Sequence, residues 1–174
     1  MSLSTLLQNI ADAEQGPKTC AVFDFDGTII SGYSATAFLK DQIARGEISP
    51  ADLVQLTQAA TRFGIGSLGF SALMAVHAQY LAGRSETDYV ANSERLFRRA
   101  IAKLIYPEAR QLIEAHRAAG HSIAIISSAT PYQVLPAAKD LGIEHVYATD
   151  LQVEDGQFTG GVVQPTCFGI GKVH

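Results

Sequence analysis

Two acids, Asp24 and Asp26, close a short apolar run, Cys20-Ala21-Val22-Phe23, and Gly27-Thr28 follows them directly. An apolar run of this length, bounded by a glycine turn, predicts a buried strand. Residues i and i+2 share a face on a strand. If the chain begins to turn at Phe25, both carboxylates converge just past the strand's C-terminal end. Open α/β sheets bind their ligands there. Two carboxylates in one place need a cation or hydrogen bonds to answer them. The chemistry this allows is binding of a divalent ion and, balanced by that ion, of an incoming anion. The plainer alternative is a solvated Asp-Gly turn at a strand end.

Two further places could serve an anion. Ser127 and Ser128 follow a second apolar run, 122–127, and precede Ala129-Thr130-Pro131 and a helical pattern. A hydroxyl and backbone N–H groups in such a turn can face the same edge of a sheet, and the helix N-terminus favours negative charge. Strand register decides whether Ser127 or Ser128 faces the site. Lys172 is a candidate cation near the end of the sequence; a solvated surface lysine is its default reading. Other apparent motifs fail on context. Gly64-Ile65-Gly66-Ser67-Leu68-Gly69 matches a dinucleotide fingerprint, but a helical pattern precedes it where a strand is required. It reads as a turn between helices. Gly171-Lys172 lacks the remaining positions of a nucleotide-binding loop. The five histidines form no close pair in sequence; His77 and His116 fall at core spacings, and His121, after Gly120, reads as exposed.

The elements that must position these residues follow from periodicity. Leu3 to Ala13 predicts a short helix ended by Gly16-Pro17, and the first strand follows. From Ser34 to about Leu104 the pattern is helical throughout. Ser34 reads as the cap of a helix carrying Phe38, Leu39 and Ile43. Ser49-Pro50-Ala51-Asp52 starts a helix carrying Leu53, Leu56, Ala60 and Phe63. A third helix runs from Ser67 to Leu81. Ser85-Glu86-Thr87-Asp88 opens a fourth in the manner of a capping box, with Tyr89, Leu96, Phe97 and Leu104 on its inner side. Pro107 starts a helix that stops before Gly120. After the second strand a further helix leads to Leu141-Gly142, then a short strand at 146–148. Asp155-Gly156 marks a hairpin turn. Strand and helix repeated in this order predict an α/β fold with a parallel, Rossmann-like sheet, interrupted after its first strand by an all-helical block.

The bulk properties narrow the function. The 174 residues are 47% hydrophobic, enough for a packed domain with an insertion. The formal charge of −4 argues against nucleic acid or an anionic membrane as the main partner. No run approaches the roughly 18 apolar residues that span a bilayer, and no signal peptide is evident. Cys20 and Cys167 match no metal or redox spacing; Cys20 reads as a core residue, and a reducing cytosol is expected.

Together these pieces resemble the haloacid dehalogenase superfamily of phosphohydrolases, in its phosphoserine phosphatase-like branch with a helical cap. Asp24-Phe25-Asp26-Gly27-Thr28 matches the first motif, Ser128-Ala129-Thr130 the second and Lys172 the third. The resemblance implies a core of residues 1–32 and 105–174 with a cap of residues 33–104. It implies Asp24 as nucleophile toward phosphorus, giving an aspartyl-phosphate, and Asp26 as general acid and base. It implies Mg²⁺ bound by Asp24 and Asp26. Gly27, Thr28, Ser128, Ala129 and Lys172 would hold the phosphate of a small phosphorylated metabolite. Transfer to another acceptor, or phosphate-ligand binding without turnover, are the alternative activities.

Two departures shape what is expected. Relatives specific for phosphoserine carry an acid where this chain has Tyr33, which argues against that substrate. The fourth motif, a Gly-Asp pair with a following Asp that completes the metal site, is absent. The expectation is a truncated chain lacking a strand–helix unit on the order of 30 residues. Its first strand then becomes a sheet edge that a second copy or a swapped segment would cover.

Overall fold

The computed structural model describes residues 2–66 and 68–173. Three parallel strands form the central sheet in the order β1 (Cys20–Phe23), β2 (Ser122–Ile126), β3 (His145–Tyr147). Cys20 pairs with Ser122 and Phe23 with Ile125; Ala124 pairs with His145. Both crossovers are helical, as parallel neighbours require. An antiparallel hairpin, β4 (Leu151–Glu154) and β5 (Gln157–Val162), forms a separate two-stranded sheet. Its turn is the expected Asp155-Gly156, with φ of 51° and 74°.

Helix α1 (Leu3–Asp12) precedes β1. Helices α2 (Ser34–Ala44), α3 (Pro50–Gly64), α4 (Phe70–Leu81) and α5 (Glu86–Leu96) lie between β1 and β2 in sequence. A π-helical turn at Phe97–Ile101 and a 3₁₀ turn at Ala102–Leu104 extend α5. Helices α6 (Pro107–Ala118) and α7 (Pro131–Leu141) flank β2 in sequence. The sequence start signals act as expected at two points: Ser49 accepts from the Asp52 N–H, and Ser85 from the Asp88 N–H. No helix among the described residues is long and apolar enough to cross a membrane.

The core is continuous from the sheet into the helical segment. Phe25, Ile29, Ile30, Ile125 and Val134 are wholly buried, and Phe38, Leu81, Tyr89, Leu96 and Phe158 join them. Helix α4 packs along β5, where Gln79 Nε2 donates to the Gly160 carbonyl at 3.0 Å. Phe63, Phe70 and Phe168 form an aromatic trio, with Phe70 and Phe168 stacked at 4.4 Å.

Several expectations fail for identifiable reasons. Cys20 is exposed rather than core, because it lies on the same uncovered face of β1 as Val22, which is 56% exposed, while Ala21 on the opposite face is buried. The third predicted helix begins at Phe70, and Ser67 lies outside the described residues. On α3 the buried alanine is Ala59 rather than Ala60, and Ile43 on α2 is exposed. His121 is buried, not exposed. Its Nδ1 lies 2.9 Å from His116 Nδ1, and its Nε2 lies 3.0 Å from the Glu14 carbonyl. The two histidines therefore form a close pair that five residues of helix end and turn bring together.

Candidate active site

The strand β1 ends at Phe23, so Asp24 and Asp26 stand just beyond its C-terminal end. The chain then folds tightly over the buried Phe25 side chain: the Phe25 carbonyl accepts from the N–H groups of Thr28, Ile29 and Ile30. Gly27 makes this turn possible. Its φ is +74°, which disfavours residues with a Cβ, and its N–H donates to the Gly32 carbonyl at 2.9 Å. Gly27 and Thr28 are exposed at the rim.

The two acids have different surroundings. Asp24 is exposed; one oxygen, Oδ1, accepts from the Phe25 N–H at 2.8 Å, and Oδ2 has no hydrogen-bond partner among the described residues. Asp26 is half-buried. Its Oδ1 accepts from the Ser34 N–H at 2.8 Å and its Oδ2 from the Ser34 hydroxyl at 3.2 Å. Burial pushes the Asp26 carboxyl above the usual aspartate range; the Ser34 hydrogen bonds pull it back, and the neighbouring Asp24 charge raises it further.

Lys172 comes to this place from 148 positions away in the sequence. Its Nζ lies 3.4 Å from Asp24 Oδ1 and donates to the Ile126 carbonyl at 3.3 Å. Lys172 sits on a 3₁₀ turn, Gly169–Lys172, and the approach depends on Gly171, where a Cβ would collide with the Thr166 carbonyl. The Ile126 carbonyl belongs to the peptide that begins Ser127, so the serine turn lies one bond from the lysine ammonium. Ser127 is buried, and its Oγ accepts from the Ala129 N–H at 3.1 Å. Ser128 is half-buried, and its hydroxyl has no partner among the described residues. Ala129 is buried.

Three residues of the site escaped sequence reading in their roles. Ser34 is the first residue of α2 rather than its cap, a position held by Tyr33, and its side chain turns to Asp26. Gln133 Nε2 donates to Ser34 Oγ at 3.1 Å, while Gln133 Oε1 accepts from the Thr130 N–H and hydroxyl at 2.8 and 2.9 Å. This Thr-x-x-Gln capping box opens α7. Its signature stands in the sequence as Thr130-Pro131-Tyr132-Gln133 and was readable there.

The geometry joins parts of the chain separated by more than a hundred residues at the C-terminal edge of a parallel sheet. Residues 21–174 match the haloacid dehalogenase-like hydrolase family. The chain belongs to that family. Among relatives of this haloacid dehalogenase-like chain is a phosphoserine phosphatase of Mycobacterium tuberculosis, 32% identical over 159 residues, covering 88% of this chain and 51% of that one. A histidinol-phosphatase of Neisseria meningitidis is 27% identical over 158 residues, covering 90% and 71%. A solved protein of unknown function from Bordetella pertussis superposes with a TM-score of 0.80 at 25% identity, over 89% of this chain and 70% of that one. The chain spans about half the length of the first curated relatives it matches.

The family is associated with a divalent ion. Among the described residues no group of three or more His, Cys, Asp or Glu side chains gathers in a metal-holding arrangement. What the site does offer is hard oxygen donors. Asp24 Oδ2 and the Asp26 backbone carbonyl carry no hydrogen bond from the described residues. That donor chemistry fits Mg²⁺, which takes one or two protein oxygens and keeps several waters.

Proposed function

We propose that this chain carries the reacting residues of a phosphomonoester hydrolase that works through an aspartyl-phosphate on a small phosphorylated metabolite. The observation that supports this best is the meeting of Lys172 with Asp24 and the Ile126 carbonyl, because it gathers a nucleophile, a cation and an anion-binding turn at one sheet edge.

In this reading Asp24 Oδ2 attacks phosphorus in line with the leaving oxygen. Asp26 gives its proton to that oxygen as it departs. In the second half-reaction Asp26 takes a proton from the water that attacks the phosphorus of the aspartyl-phosphate, releasing inorganic phosphate and restoring Asp24. A raised carboxyl at Asp26 suits a group that must be protonated at the first step and free at the second. Lys172 balances the charge shared by Asp24 and the phosphoryl group. Gly27, Thr28, Ser127, Ser128 and Ala129 would hold phosphate oxygens through hydroxyl and N–H groups, beside the N-terminus of α7. Mg²⁺, held by the Asp24 carboxylate and the Asp26 carbonyl, would supply charge neutralisation for the transferring phosphoryl group.

Residues 33–104 would act as the cap over a core of 1–32 and 105–174. Tyr33, 71% exposed next to Ser34, stands where an amine-binding acid would be expected for phosphoserine. It favours a phosphate ester whose other end is recognised by an aromatic face. Free thiols at Cys20 and Cys167 agree with a cytoplasmic setting.

The test is turnover of p-nitrophenyl phosphate with and without Mg²⁺, for the wild type and Asp24→Asn. A metal-dependent activity that falls by about 10³-fold or more in the variant is expected, since the nucleophile is lost. Equal rates in the two proteins would refute the reading.

A further inference from the structure

A buried hydrogen-bond relay runs from the second acid to the serine turn and is unused by the mechanism above. Ser34, Thr130 and Gln133 are 0%, 1% and 8% exposed. The Ser34 hydroxyl has a single proton and gives it to Asp26 Oδ2, so its oxygen must accept from Gln133 Nε2. Gln133 Oε1 is fixed in turn by two donors of Thr130. A flipped amide would turn its NH₂ group toward the Thr130 N–H, donor against donor, and lose that bond. The direction of every bond in the chain is thereby set, from Thr130 through Gln133 and Ser34 to Asp26.

We propose that Gln133 and Ser34 are positioning residues that hold the Asp26 carboxyl in the orientation needed to protonate the leaving oxygen. The proposal rests on the phosphatase reading and deepens it. Ser34 is the first residue of α2, where the helical segment begins, and Gln133 lies in the first turn of α7, next to the serine turn. The acid is therefore aimed by two elements that come from 99 residues apart, and it is well aimed only while α2 and α7 keep this separation. Without the Gln133 donor, the Ser34 hydroxyl is free to rotate, and Asp26 Oδ2 loses its fixed partner.

Gln133→Glu separates this role from helix capping. Glutamate at this position still completes a capping box through its oxygens, yet has no N–H for Ser34. The measurement is kcat/KM in the intact protein, which reports only steps through departure of the leaving group, on two esters. p-Nitrophenolate leaves without a proton; the alkoxide of propyl phosphate does not. General acid catalysis contributes about 10²–10⁴-fold, so misaiming the acid should lower kcat/KM for propyl phosphate by about 30-fold or more. The loss on p-nitrophenyl phosphate should stay within about threefold by the same argument, with the melting temperature little changed. Ser34→Ala should give the same pattern, Ser34→Thr should restore it, and the double variant should lose no more than either single one. Should Gln133→Glu fail to fold, the Ser34 pair carries the test. Equal losses on both esters, or no loss in folded variants, would overturn the proposal and leave Gln133 a helix cap. A wild type no faster than Asp24→Asn on either ester would instead remove the phosphatase reading beneath it.

Discussion

The floor of the site and the far part of the helical segment are built to different standards. In the floor, Phe25, Ile29, Ile30, Ile125 and Val134 are all 0% exposed, and they lie directly under the loops that hold Asp24, Asp26 and the serines. In α3, by contrast, fifteen residues contribute Ala59 as their buried side chain, while Val54 is 54% exposed. A cleft of about 420 Å³ opens between α3 and α4, lined by Leu56, Ala75 and Tyr80 among others. Dense packing transmits displacement directly to the groups above it. A loosely packed helix can shift or change sequence with little consequence for the chemistry. The contrast is between a densely packed site floor and a loosely packed helix.

Substitutions can break or sharpen this contrast. The largest effect is expected at Phe25→Ala, which should lower unfolding free energy by about 3–5 kcal/mol in a denaturant titration, as buried phenylalanines do. Lys172→Met should lower kcat/KM for p-nitrophenyl phosphate by about 10²–10³-fold, the usual effect of removing one preorganised charge-stabilising group, without a matching loss of stability. Between the serines, Ser127→Ala should cost about tenfold or more, and Ser128→Ala less, a split set by a typical hydrogen bond to a charged group. The reason is that the Ala129 N–H fixes the Ser127 hydroxyl oxygen and leaves its proton to donate outward.

The helical segment should show itself in acid. Burial pushes His77, on α4, down to about 4. A histidine held neutral in the fold and free to protonate when unfolded stabilises above its ordinary value near 6.5, and that stability is lost as pH falls from there toward 4. His77→Leu should flatten the acid-side loss of melting temperature in this window. At the small end, Val54→Ser should change unfolding free energy by no more than about 0.5 kcal/mol. An effect at Val54 as large as that at Phe25 would erase the distinction between the two regions.

The parts of the molecule legible in the sequence are those set locally. The Ser49 cap, the Asp155-Gly156 turn and the apolar runs of β1 and β2 are decided by neighbours within a few residues. Asp24 and Asp26 announced themselves because acids at the end of an apolar run need an answer. Ser34 was legible as a helix-start residue but not as a partner of Asp26 and Gln133, since nothing local distinguishes a capping serine from one turned inward. Cys20 is exposed because an apolar strand residue is buried only if the face its side chain points to is covered, and tertiary packing, not the local pattern, decides that. The histidine pair was missed because the path through the end of α6 and Gly120 reverses the chain, which periodicity does not register.

That pair has an orientation of its own. The Glu14 carbonyl can only accept, so His121 must carry its proton on Nε2, and the neutral ring then presents a bare Nδ1 to its neighbour. His116 must be the opposite tautomer, with its proton on Nδ1. Burial and the facing ring both push His116 below its ordinary value. An extra proton on His116 would sit on its Nε2 and leave this bond intact, whereas one on His121 Nδ1 would put two N–H groups nose to nose, so the tether between α6 and the stretch after α1 depends on that one bare nitrogen.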